Sequence, residues 1–176
     1  MPGGKETKNQ VPVLLENAVE SWNRYRAKQR FLADPNDVDA GFAFLKTTLW
    51  SDRYMPQELP VWKLWVDGFI VNYKLQNEET RQKIRERIKQ ELPARNHALL
   101  VEMLWEFSEG TDRNRWLHTL LQELWHYNSQ DEDRRKEFLF SVVHLEGIPK
   151  EVREPIRMEN SVMENSVIAM QERALV

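Results

Sequence analysis

The sequence contains no cysteine. Disulfide scaffolds, thiolate nucleophiles, cysteine-ligated zinc and iron–sulfur clusters are therefore excluded, because each needs that ligand. Glycine is scarce at 6 and proline at 8, and both fall mostly where periodic apolar segments stop, which is how helix punctuation looks. No run approaches the roughly 20 consecutive apolar residues of a membrane helix. The opening MPGGKETKNQ has no apolar stretch that could act as a signal segment. These features lead us to expect a soluble, cytoplasmic protein with no membrane partner. An excess of one charge is also missing: 25 Lys plus Arg against 28 Asp plus Glu leave a formal charge of −3, too balanced to name a nucleic-acid or anionic-membrane partner. There is no Walker loop, GxGxxG, HExxH or GxSxG, so nucleotide-dependent, zincin and serine-hydrolase chemistry have no support.

What is present is helical. The 176 residues are 41% hydrophobic and 30% charged, a globular composition. Val11, Leu14, Ala18, Trp22 and Tyr25 recur at i, i+3, i+4 and share one face of a first helix ending near Leu32. Asp34 to Asp37 read as a turn and helix cap. A second helix carries Val38, Phe42, Leu45 and Leu49 inward; a third, with Pro60 in its first turn, carries Trp62, Trp65, Phe69 and Tyr73. Asn77 can cap a fourth, which is mostly charged around Ile84 and Ile88. Pro93 opens a fifth (Leu100, Met103, Leu104, Phe107) and Thr111 or Asp112 caps a sixth (Leu117, Leu120, Leu121, Leu124). Ser129 with Glu132 forms a capping box for a seventh, burying Phe138, Val142 and Leu145. No segment alternates like a half-buried strand. The expected fold is an all-α bundle or short curved array of about seven antiparallel helices. Residues 1–10 are expected to be a disordered tail, 11–148 the helical domain, and 149–176 a short helix or flexible docking arm.

Two internal repeats stand out. Leu104-Trp105-Glu106-Phe107 recurs one helix later as Leu124-Trp125-His126-Tyr127, which reads as a shared packing solution or a degenerate helical repeat. Met158 to Val162 recurs at once as Met163 to Val167. That segment reads as a frayed tail, or as an amphipathic arm that docks on a partner with Met158, Val162, Val167 and Met170 on one loose apolar side.

Three sets of residues are candidates for function. Trp105 and Trp125 sit off the main apolar stripes of their helices; with Phe107 and Tyr127 they form an aromatic surface suited to a protein partner, since Trp and Tyr are frequent interface anchors. Central burial is the competing reading. On the fourth helix, Arg81, Arg85 and Lys89 recur every four residues as a basic stripe that could meet nucleic-acid phosphates, although neighbouring Glu residues offer salt-bridge partners. Glu123 and His126 form the only Glu-x-x-His, whereas a di-iron bundle site needs two with two further Glu, so no metal or cofactor is expected. Trp50 and His144 belong to none of these sets.

The third set is Arg113-Asn114-Arg115-Trp116-Leu117-His118. It resembles the motif of HEPN-type ribonucleases, in which an Arg is followed by a polar residue and, after a short gap, a His. The resemblance covers six residues of the chain and implies a dimerising all-α bundle that cleaves RNA. Arg113 would then bind phosphate, Asn114 would orient, and His118 would act as acid or base. Leu120 stands where that family often has Tyr. The leading expectation is a non-catalytic protein-interaction or assembly module; a nucleic-acid-associated helical subunit and a HEPN-like ribonuclease are the alternatives, and a homodimer fits the first and the last.

Overall fold

A computed structural model describes residues 10–48, 56–143 and 148–175. Its regular elements are all helical: α1 Gln10–Ala33, α2 Val38–Thr47, α3 Leu59–Phe69, α4 Glu78–Glu91, α5 Ala94–Phe107, α6 Arg113–Asn128, α7 Glu132–Val143 and α8 Lys150–Ala174. Among the described residues there is no strand, so the all-α expectation holds. The expected third helix continues past Phe69 as a π-helical segment, Ile70–Lys74. Leu49, Trp50, His144, Leu145 and nearly all of the expected N-terminal tail lie outside the described residues.

The helices form two units, one within Met1–Arg81 and the other within Gln82–Val176. In the first, α2 packs on α1 and on α3. Asp37 caps α2 by accepting from the Ala40 amide at 3.0 Å, and Pro60 occupies the first turn of α3, where its missing N–H has no helical partner. The core is a ladder of stacked rings: Phe31 on Phe44 (5.3 Å between centroids), Phe44 on Trp62 (4.9 Å), and Trp65 on Phe69 and Phe69 on Tyr73. The Trp65 indole N–H donates to the Gly41 carbonyl at 3.1 Å. Gly68 lets α3 lie directly against the Pro35 carbonyl, a space that a Cβ would fill, and Asn72 donates to the Asn36 carbonyl at 2.8 Å. The α1–α2 turn is thereby clamped to the helix that follows.

In the second unit, α5 is buried on nearly every side from Ala94 to Trp105, as expected of a central helix. It packs on α6 and α7, and α7 packs on α8. Leu117, Leu120, Leu121, Leu124, Phe138 and Ile148 have almost no exposure. Each such side chain contributes about 1.5–3 kcal/mol over an exposed position. Asn77 caps α4 by accepting from the Thr80 amide at 2.9 Å, as its sequence position suggests. The expected capping box fails: Ser129 follows the last turn of α6 and donates back to the His126 carbonyl, and Asp131 accepts from the Arg134 amide. Asp131 lies nearer the start of α7, so its carboxylate reaches the free amides first. The C-terminal repeat is not frayed, because α8 runs through both copies, and the equivalent Ser161 and Ser166 each donate to the carbonyl four residues back.

Candidate functional site

The aromatic surface expected at Trp105 and Trp125 does not exist as an exposed surface. Trp105 is 2% exposed and Trp125 is 1% exposed, while Phe107 and Tyr127 are half-buried. Each buried indole has found an acceptor: Trp105 donates to Asn114 Oδ1 at 3.0 Å and Trp125 to Glu159 Oε2 at 2.9 Å. The two copies of the repeat thus share a packing solution, an apolar ring in the core with its one polar atom satisfied at the edge. Tyr127 lies beneath the Arg134 guanidinium, 4.3 Å from its centroid, and beside His97.

Arg113, Asn114 and His118 are not brought together. The Arg113 guanidinium donates to the carbonyls of Trp105 and Ser108 at 3.3 and 3.5 Å, capping the end of α5. Asn114 holds the Trp105 indole. His118 lies five residues from Arg113, about 140° around the helix, and its ring contacts Gln122 at 3.4 Å. It borders an open hollow of about 400 Å³ lined by His118, Thr119, Gln122, Glu123 and His126, which Arg113 does not line. Glu123 of the solitary Glu-x-x-His faces Lys89 at 3.6 Å. Among the described residues, no three His, Asp or Glu side chains group so as to hold a metal.

The basic stripe is spent within its own helix and its neighbours. Arg81 pairs with Glu78 at 3.2 Å, and Lys89 with Glu86 at 3.1 Å. Arg85, expected on the exposed face, is only 5% exposed and donates to Gln82 through Nε and Nη2. A guanidinium so placed presents little to a phosphate.

The exposed apolar surface lies elsewhere, on α1. At about 100° per residue, Leu14, Leu15, Ala18, Trp22 and Tyr25 fall within an arc of roughly 100°. The buried Phe31 and the half-buried Arg24, Ala27 and Lys28 occupy the opposite side. The helix therefore has two faces: one packs on α2, and the other is left exposed among the described residues of its unit. Leu14 is 64% exposed, Trp22 59% and Tyr25 54%, with the Trp22 and Tyr25 rings stacked 5.8 Å apart. A similar stripe on α8 starts buried at Val152 and Ile156 and runs out to exposed Val167 and Met170. Sequence periodicity found the α1 stripe, but what marks it as outward is the position of Phe31 half a turn away.

No helix of the described residues is long and apolar enough to cross a membrane. Compared with protein-family models, curated proteins and solved structures, the chain matches none.

Proposed function

We propose that the chain is a non-catalytic α-helical protein-interaction or assembly module that engages a protein partner through the outward face of α1. The observation carrying this reading is the contiguous exposure of Leu14, Leu15, Val19, Trp22 and Tyr25. A run of large apolar side chains on one helix face, centred on stacked aromatic rings, is the composition of a helix-recognition surface. The residues that could carry chemistry support it indirectly, because Arg113, Asn114 and Arg85 each bond a neighbouring residue of the fold. The reading includes a cytoplasmic site of action, which suits a chain that uses no disulfide.

The test is photo-crosslinking in the native cell, with benzoylphenylalanine replacing Trp22 or, as a control, the exposed Glu164. A discrete polypeptide adduct at position 22 and none at position 164 is expected. Equal and diffuse labelling at both positions would overturn the reading.

A further inference from the structure

The exact pentapeptide repeat gives α8 two copies of Met-Glu-Asn-Ser-Val, one beginning at Met158 and the other at Met163. Five residues turn a helix through about 500°, so the two methionines leave the axis about 140° apart. Met163 falls between Val152 and Ile156 around that axis, on the side of α8 that is buried, whereas Met158 falls outside it. Met158 is 68% exposed, Met163 is half-buried, and every described residue from Glu164 onward is exposed. Met163 is therefore the last side chain at which α8 is covered. The turn before it is held lightly. Glu159 accepts from the Trp125 indole, but Asn160 Oδ1 is buried with no hydrogen-bond partner among the described residues, which opposes docking there.

From this arrangement we infer that Met163 is an oxidation site, and that its conversion to the sulfoxide by a peroxide releases the last covered turn of α8. The inference is independent of the α1 face. The thioether sulfur donates a lone pair to one peroxide oxygen, the O–O bond breaks, and the proton left on the transferred oxygen joins the departing hydroxide as water. Sulfur loses two electrons and the peroxide gains them, so no other residue of the chain has to take part. The product is polar where the thioether was apolar. A polar group in a covered position with no new partner favours the solvated arrangement, so the turn is drawn away from its packing. Met158 and the 70% exposed Met170 carry the same chemistry in solvent before and after the change, so their oxidation alters no packing. Met103 has no exposure and is shielded by the core. The two copies of one pentapeptide thus differ in consequence through the fold alone.

Dilute hydrogen peroxide on the full chain, followed by peptide mass mapping and hydrogen exchange, tests this. Met158 and Met170 are expected to oxidise first, Met163 more slowly, and Met103 last. Exchange at the Glu159 to Met163 amides is expected to quicken about tenfold as the Met163 sulfoxide accumulates. It should slow again when methionine sulfoxide reductases A and B restore the thioether. Met163→Leu keeps a similar apolar volume and is expected to abolish the response, while Met158→Leu and Met170→Leu retain it. Equal oxidation rates at Met158 and Met163 would show that the fold does not distinguish the two copies and would overturn the site. A Met163 sulfoxide with unchanged exchange, or a Met163→Leu chain whose α8 still responds to peroxide, would overturn the release.

Discussion

His97 and Asn128 meet in the core of the second unit at 3.0 Å, and the contact fixes which imidazole nitrogen carries the proton. His97 Nε2 lies 2.8 and 2.9 Å from the carbonyls of Ile88 and Leu92, so it must donate there, closing the C-terminal end of α4. Nδ1 is then the acceptor for the Asn128 amide, whose other hydrogen goes to the Leu124 carbonyl at 2.7 Å. A proton on Nδ1 would set donor against donor. A neutral imidazole thus ties α4, α5 and α6 together.

This predicts a pH-dependent stability. Burial, reinforced by the charges of Arg134 and Lys89 and opposed by the two carbonyl hydrogen bonds, lowers the His97 pKa from 6.5 to about 4. In the unfolded chain the imidazole titrates at its ordinary value. As pH falls from 6.5 towards 4, the unfolded state therefore takes up a proton that the folded state refuses. Stability from this group is full above that window and declines through it by about 3 kcal/mol, with no further loss below. Denaturant titrations at pH 7 and pH 4.5 check it. His97→Gln should have a smaller difference between the two pH values than the wild type, and equal differences would refute the assignment.

Gly68→Ala is expected to destabilise the first unit by about 1–3 kcal/mol. The added methyl would meet the Pro35 carbonyl, a backbone atom held by the α1–α2 turn, so relief requires moving a helix rather than a side chain. Gly41→Ala is the internal control, since its Cβ would meet only the Trp65 ring nitrogen at 3.6 Å, ordinary contact. Thermal melts of the two variants that coincide would remove the argument.

Helical periodicity made the fold class and most element positions legible, because a 3.6-residue repeat of Leu, Ile and aromatic residues leaves few other ways to bury them. Asn77 and Asp37 are legible as caps, and Pro60 as a first-turn residue, for the same local reason. The partner surface was not. Trp105 and Trp125 stand off the main stripes of their helices, and periodicity alone cannot tell an exposed position from one on a helix buried on all sides, as α5 is. Their acceptors, Asn114 and Glu159, are 9 and 34 residues away in sequence, which no local pattern encodes. The i, i+4 spacing of Arg85 with Arg81 and Lys89 reports a shared face, without saying that this part of the face is covered, as it is at Arg85.

Glu159 is exposed yet accepts from the buried Trp125 indole, so it anchors α8 by one specific bond. Glu159→Ala leaves that N–H without an acceptor and is expected to cost about 1–3 kcal/mol. Glu159→Gln retains a carbonyl oxygen at the same reach and should cost less. Hydrogen exchange at Val152 to Arg157 should quicken in Glu159→Ala while the α5 amides stay protected. Unchanged protection of α8 would show that Val152 and Ile156 hold it without the bond.

The Arg113 to His118 string yields a prediction that separates scaffold from chemistry. Asn114→Ala removes the acceptor of the buried Trp105 indole at the edge of the core, and is expected to cost about 1–3 kcal/mol. His118 lies at the surface against Gln122, so His118→Ala is expected to change stability by no more than about 0.5 kcal/mol. The catalytic reading ranks the two by cleavage instead, with His118→Ala abolishing RNA hydrolysis at unchanged stability. Denaturation midpoints and an RNA cleavage assay on the same purified variants decide between them. Because the Arg113 guanidinium is turned onto the Trp105 and Ser108 carbonyls, the expected result is a stability loss confined to Asn114→Ala. His118-dependent cleavage would require Arg113 to leave the end of α5 and would restore the ribonuclease resemblance as function.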